Sequence, residues 1–136
     1  MKKFNLSVLS LLLLCGIIAA HPNQDPAASE NLVIQVSPQT IILGRDANEG
    51  NVWVTIHAEI GFSSAYDVSV EIEGVDHTVI EAEVTFADSR GDLVAKFRYD
   101  DLAELLGPGD AVLRLHAVIG ETTYTGSDEI RVFMKK

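Results

Sequence analysis

One cysteine occurs in 136 residues, Cys15, and it sits inside the apolar N-terminal run. The rest of the chain has no disulfide and no thiol chemistry, so a small cross-linked scaffold is excluded and the fold must rest on its own core. Basic residues are scarce. Ten Lys and Arg stand against twenty Asp and Glu, a formal net charge of -10. Such a chain repels phosphate backbones and anionic membrane surfaces, which excludes nucleic acid as an expected partner. Also missing are Gly-x-Ser-x-Gly, His-Glu-x-x-His, a phosphate-binding loop and cysteine-rich metal spacings. No Ser or Thr is marked by a neighbouring base. The expectation is a non-enzyme, with no catalytic residue and no cofactor assigned.

What is present begins with Met1-Lys-Lys, then an apolar run from Phe4 to Ala20 broken by Asn5, Ser7 and Ser10, then polar His21-Pro-Asn-Gln-Asp. This tripartite start predicts a cleavable secretory signal cut after Ala20. The run is short for a membrane span of about 20 residues. Leu-Leu-Leu-Cys15-Gly looks like a lipidation signal, but Leu14 is not the small residue that signal wants, and Ile17-Ile-Ala-Ala20 continues the apolar run. Lipidation at Cys15 therefore ranks behind cleavage. The expected layout is a signal peptide over 1–20, a flexible leader over 21–31 and one folded domain over 32–136, exported to the periplasm or outside the cell without a membrane span. Loss of Lys2 and Lys3 leaves eight basic against twenty acidic residues, a mature charge of -12.

Within the domain, apolar residues recur every second position. Val52, Val54, Ile56, Ala58 and Ile60 alternate with Trp53, Thr55, His57 and Glu59, which predicts a central strand with one face in the core. Leu32–Val36 and Thr40–Leu43 read as a first edge strand split at Ser37-Pro38. Tyr66–Glu73, with Val68, Val70 and Ile72 inward, and Leu93–Tyr99, with Leu93, Ala95, Phe97 and Tyr99 on one side, read as further strands. Val79–Phe86 reads as one or two short ones. Ala111–Ile119 and Ile130–Phe133 follow, and Thr123–Thr125 is placed to pair back after a turn at Gly120. Asp101-Leu-Ala-Glu104 resembles a capping box and predicts a short helix that docks Leu102, Leu105 and Leu106. About seven strands with turn signals between them, and one short helix before the penultimate strand, predict an all-β antiparallel sandwich of immunoglobulin-like type. A closed barrel is the alternative.

Five segments occur in a telling order: Ser37-Pro-Gln-Thr-Ile-Ile-Leu, Trp53-Val-Thr, Gly91-Asp-Leu-Val-Ala-Lys-Phe-Arg98, Asp101-Leu through Asp110, and Tyr124-Thr-Gly-Ser-Asp-Glu-Ile-Arg-Val132. Together they resemble a bacterial and archaeal immunoglobulin-like module found at the ends of large secreted proteins. The resemblance covers most of 37–132. It implies a structural or adhesive role, with no catalytic residues to carry over.

Several candidate sites follow. Trp53, Thr55 and His57 share the polar face of the central strand and form a candidate patch for a protein or polysaccharide of the cell surface. The split strand from Leu32 to Leu43 is a candidate edge for strand addition. Arg90-Gly-Asp92 spells an adhesive tripeptide but more simply starts a strand. Asp88, Asp92, Asp100, Asp101 and Asp110 carry oxygen ligands for calcium, although Asp88-x-x-Gly-Asp92 is only a fragment of a calcium loop. A second functional expectation rests on His21. As the first residue after cleavage, it would offer an amino group and an imidazole to copper, with His57, His77 or His116 as a further ligand.

Overall fold

The alternating stretch that follows Gly50 folds as a strand from Trp53, with Val54, Ile56, Ala58 and Ile60 buried, whereas Val52, expected to open the inward set, lies before the strand and is exposed. The computed structural model describes residues 30–44, 52–76 and 78–136. Among them lie ten strands: β1 (Glu30–Asn31), β2 (Ile34–Ser37), β3 (Thr40–Leu43), β4 (Trp53–Gly61), β5 (Ala65–Ile72), β6 (Val79–Glu81), β7 (Val84–Ala87), β8 (Asp92–Arg98), β9 (Gly109–Ile119) and β10 (Thr122–Met134). A 3-10 turn, Phe62–Ser64, precedes β5, and one short helix, α1 (Tyr99–Ala103), precedes β9. No described helix is long and apolar enough to cross a membrane. The signal peptide, most of the leader, His21 and His77 lie outside the described residues.

The strands form two sheets. The smaller runs β2-β4-β8-β7, and the larger runs β1-β10-β9-β5-β6, with β3 also paired to β10. Inward phases meet between them as the alternation predicts. Val54, Ile56, Val70, Phe97, Leu115 and Val132 are all buried. No polar or charged residue is buried among those described. Of the inward set expected for β9, Leu113, Leu115 and Ala117 are buried, while Ala111 and Ile119 are half-buried at its ends.

The first segment departs from expectation. It is not one split edge strand. β1 pairs parallel with β10, β2 crosses to pair antiparallel with β4, and β3 returns to pair parallel with β10. Glu30 and Asn31, inside the expected leader, already pair with Tyr124 and Thr125. The last strand differs too. Thr123–Thr125 and Ile130–Phe133 are parts of the single strand β10. The polar interruption Gly126-Ser-Asp-Glu129 hid the continuity, and the first segment explains it. A Cβ on Gly126 would run into the Leu32 carbonyl oxygen, so only glycine lets the chain cross there. Asp128 accepts the Val36 N–H at 2.8 Å through Oδ2.

The helix is placed correctly and capped differently. Arg98, not Asp101, is the residue before it, with no side-chain cap, and Asp100 and Asp101 fall in its first turn, where the helix dipole favours anions. Leu102 and Leu106 are buried, whereas Leu105 is only half-buried, so the docking face is set by Tyr99, Leu102 and Leu106.

Candidate functional site

Strand β4 gives its outward side chains to the exterior of the smaller sheet, and the register fixes their neighbours. Thr55 lies opposite Lys96, which lies opposite Val84; His57 lies opposite Val94, which lies opposite Phe86; Trp53 lies opposite Arg98. The Lys96 ammonium sits 6.0 Å from the Trp53 ring centroid and 5.6 Å from that of Phe86. Both distances are within cation–π range. Trp53 is thus half-buried, with its ring partly covered by a long side chain. Val94 points outward yet is only 1% exposed, so its neighbours on this face cover it. Arg90, Arg98, Arg114 and Arg131 each pair with a carboxylate, while Lys96 meets aromatic rings instead. Glu83 holds the Arg98 guanidinium above its ordinary pKa, first by a hydrogen bond and then by its charge. The face therefore presents aromatic surface, hydroxyl, imidazole and an ammonium on a chain of net charge -10.

Along the first-strand edge, a candidate for strand addition, three backbone groups are taken by the protein's own side chains. Asp128 takes the Val36 N–H, and the Tyr99 hydroxyl accepts the Ile42 N–H and donates to the Ile42 carbonyl. These groups are no longer free to pair with a peptide.

Arg90-Gly-Asp92 forms the turn between β7 and β8. Gly91 has φ +87, the left-handed conformation this turn demands, and its N–H donates to the Asp88 carbonyl. Arg90 and Asp92 pair with each other at 3.2 Å. The Asp88 carboxylate accepts the N–H groups of Arg90 (2.8 Å) and Asp92 (3.0 Å). Those bonds, that from Asp92 first, hold its carboxyl below the usual carboxylate range. Asp88 is committed to the turn, and Asp110 pairs with Arg131. No cluster of three or more metal-ligating side chains occurs among the described residues. His57 and His116 project from the outer faces of opposite sheets and cannot share an ion.

One cluster was missed by the sequence reading. On the exterior of the larger sheet, Arg114 pairs with Glu71 at 3.2 Å and Glu73 at 3.6 Å, His116 lies 3.3 Å from Glu71, and Thr125 lies 3.3 Å from His116. The signal was there in alternating polar positions of β5, β9 and β10, but only the pairing of these strands makes them neighbours. Phe86 was missed for the same reason. Compared with known proteins, the chain matches no family model and no curated sequence.

Proposed function

We propose that the chain is an exported, non-catalytic immunoglobulin-like module that binds a polysaccharide or protein of the cell surface through the outer face of its smaller sheet. The strand order supports the immunoglobulin-like part. Taking β2, β4, β8 and β7 as A, B, E and D, and β5, β6, β9 and β10 as C, C′, F and G, reproduces the pairing orders of that architecture, with β3 as a second half of A on the opposite sheet. The ordered motifs from Ser37 to Val132 support the same reading.

The observation that carries the binding role is the row Trp53–Lys96–Phe86. Aromatic faces stack on sugars and apolar groups, and Thr55, His57 and Lys96 supply polar contacts beside them. A ligand entering this row must shift the Lys96 amine from the Trp53 ring. An exposed cation–π contact is worth about 0.5–1 kcal/mol, so the shift costs little.

The test is retention of the mature domain on whole cells, peptidoglycan and isolated polysaccharides, with Trp53→Ala alongside. Wild type should be retained and Trp53→Ala released. Equal retention of both removes this face from the reading, and turnover of a substrate by the purified, metal-free domain overturns the non-catalytic role. Mass spectrometry of the exported protein should place its N-terminus at His21, without lipid on Cys15.

A further inference from the structure

The sandwich is fastened along one side and open along the other. On the fastened side, the first segment passes between the sheets, with Gly126, Asp128 and Tyr99 holding it. On the open side each sheet ends in a strand paired on one flank only, β6 in the larger and β7 in the smaller. The chain steps directly between them. The Ala82 N–H donates to the Val68 carbonyl at 2.9 Å, and the Glu83 N–H donates to the Lys96 carbonyl at 2.8 Å.

Strand β7 reads Val-Thr-Phe-Ala, and all four residues are exposed, including Val84 at 43% and Phe86 at 39%. The bond from the Asp88 N–H to the Asp92 carbonyl sets the phase of the β7–β8 ladder. Antiparallel alternation then turns the N–H and C=O of Thr85 and Ala87 away from β8. Edges are usually blunted by charge, proline or a covering segment, and β7 carries neither charge nor proline. Beside it opens a cleft of about 350 Å³ between β5, β6 and β7, lined by Tyr66, Asp67, Val79, Glu81, Ala82 and Thr85 among others. Asp67 has φ +48, left-handed for a non-glycine residue, at the register shift between Tyr66 and Ser69. Bulges of this kind re-aim side chains and gather beside binding sites.

We propose that β7 accepts an extended cationic peptide as a fifth strand of the smaller sheet. Side chains of an added strand alternate between two faces. One set lies beside Phe86 on the outer face, and the other enters the cleft. Charge selects what enters: Asp67 and Glu81 line it, and the chain carries a net -10. A lysine or arginine of the peptide runs its methylenes along Val79 and Ala82 and brings its charge to these carboxylates. A second copy of this chain fits poorly, because two-fold pairing of β7 with itself sets the acidic clefts of both copies against each other. Glu30 and Asn31 pair with β10, on the opposite edge. The site shares Phe86 with the Trp53 face but not its tryptophan, so the two stand or fall separately.

The experiment is fluorescence anisotropy with a labelled peptide, acetyl-Thr-Val-Thr-Lys-Thr-Val-Thr-amide, against the same peptide with Glu for Lys and a version N-methylated at alternate amides. The lysine peptide should bind at least tenfold more tightly than either control. Thr85→Pro should weaken binding at least tenfold, since it deletes an N–H that β8 does not use. Glu81→Lys should reverse the charge preference, and Trp53→Ala should leave binding unchanged. Should Thr85→Pro misfold, the N-methylated peptide tests the same backbone bonds from the other side. Equal binding of the Lys and Glu peptides, full binding of the methylated one, or loss of binding in Trp53→Ala overturns the proposal. A wild-type dimer in sedimentation that Thr85→Pro dissociates would make the second copy the occupant and likewise overturn it.

Discussion

The Tyr99 hydroxyl serves both peptide groups of Ile42: it accepts the N–H at 3.0 Å and donates to the carbonyl at 2.6 Å. The two residues lie 57 positions apart, and the bond ties the start of α1 to the outer flank of β3. Tyr99→Phe keeps the buried ring and strips these bonds, leaving two partly buried backbone groups unpaired. It should cost about 1–3 kcal/mol in urea unfolding, with the slope against denaturant unchanged. A loss under about 0.5 kcal/mol would mean that water replaces the phenol without penalty.

Phe97 is fully buried on β8 and is the largest of the fully buried side chains. Phe97→Ala should destabilise the domain by about 3–5 kcal/mol. A loss below about 1 kcal/mol would be incompatible with the inward phase assigned to β8.

Gly126 is where the first segment crosses β10. Gly126→Ala brings a methyl against the Leu32 carbonyl, a backbone atom that cannot swing aside. The expected loss is about 1–3 kcal/mol, the usual scale of overpacking. Amide exchange should localise it, with the Leu32 N–H, bonded to the Thr125 carbonyl, losing protection before the β4–β8 ladder does. Unchanged protection at Leu32 would show that the crossing tolerates the methyl.

Asp88 makes the β7–β8 turn sensitive to acid. Its carboxyl is held below the ordinary value of 3.8 by the Asp92 and Arg90 N–H groups. Folding therefore favours the ionised form. That contribution is complete above 3.8 and disappears as pH falls through the lower folded value. The amide proton shifts of Arg90 and Asp92 should titrate with a midpoint below 3.8, and Asp88→Asn should abolish that titration. A midpoint at or above 3.8 would contradict the bonding.

Much of the sandwich was legible because burial enforces period two. β4, β5, β8 and β9 each appear where alternation places them, and their inward residues are those read from the sequence except at strand ends, where Val52 is exposed and Ala111 and Ile119 are half-buried. Less legible was anything set by pairing. Lys96 reaches Trp53 because β4 and β8 are neighbours, and Phe86 joins them because β8 and β7 are. Nothing local in the sequence announces either adjacency. The Asp101 cap failed for a related reason. Burial of Tyr99 pulls the helix start three residues earlier, and packing outweighs a favourable capping sequence. Asp128 looked like a break in a strand and proved to be a tether to Val36.

The same tether has a consequence in time. As strands, β1 and β3 pair with β10 alone, and Asp128 meets Val36 across 92 positions. As the chain is made from its N-terminus, these first residues must wait for the last strand before they gain their partner. The β4–β8 pairing and the β5–β9 pairing close shorter loops and are available sooner. The final residues of the chain thus act as a latch. A truncation that removes β10 strips β1 and β3 of their strand partner at once, while β2 keeps its pairing with β4.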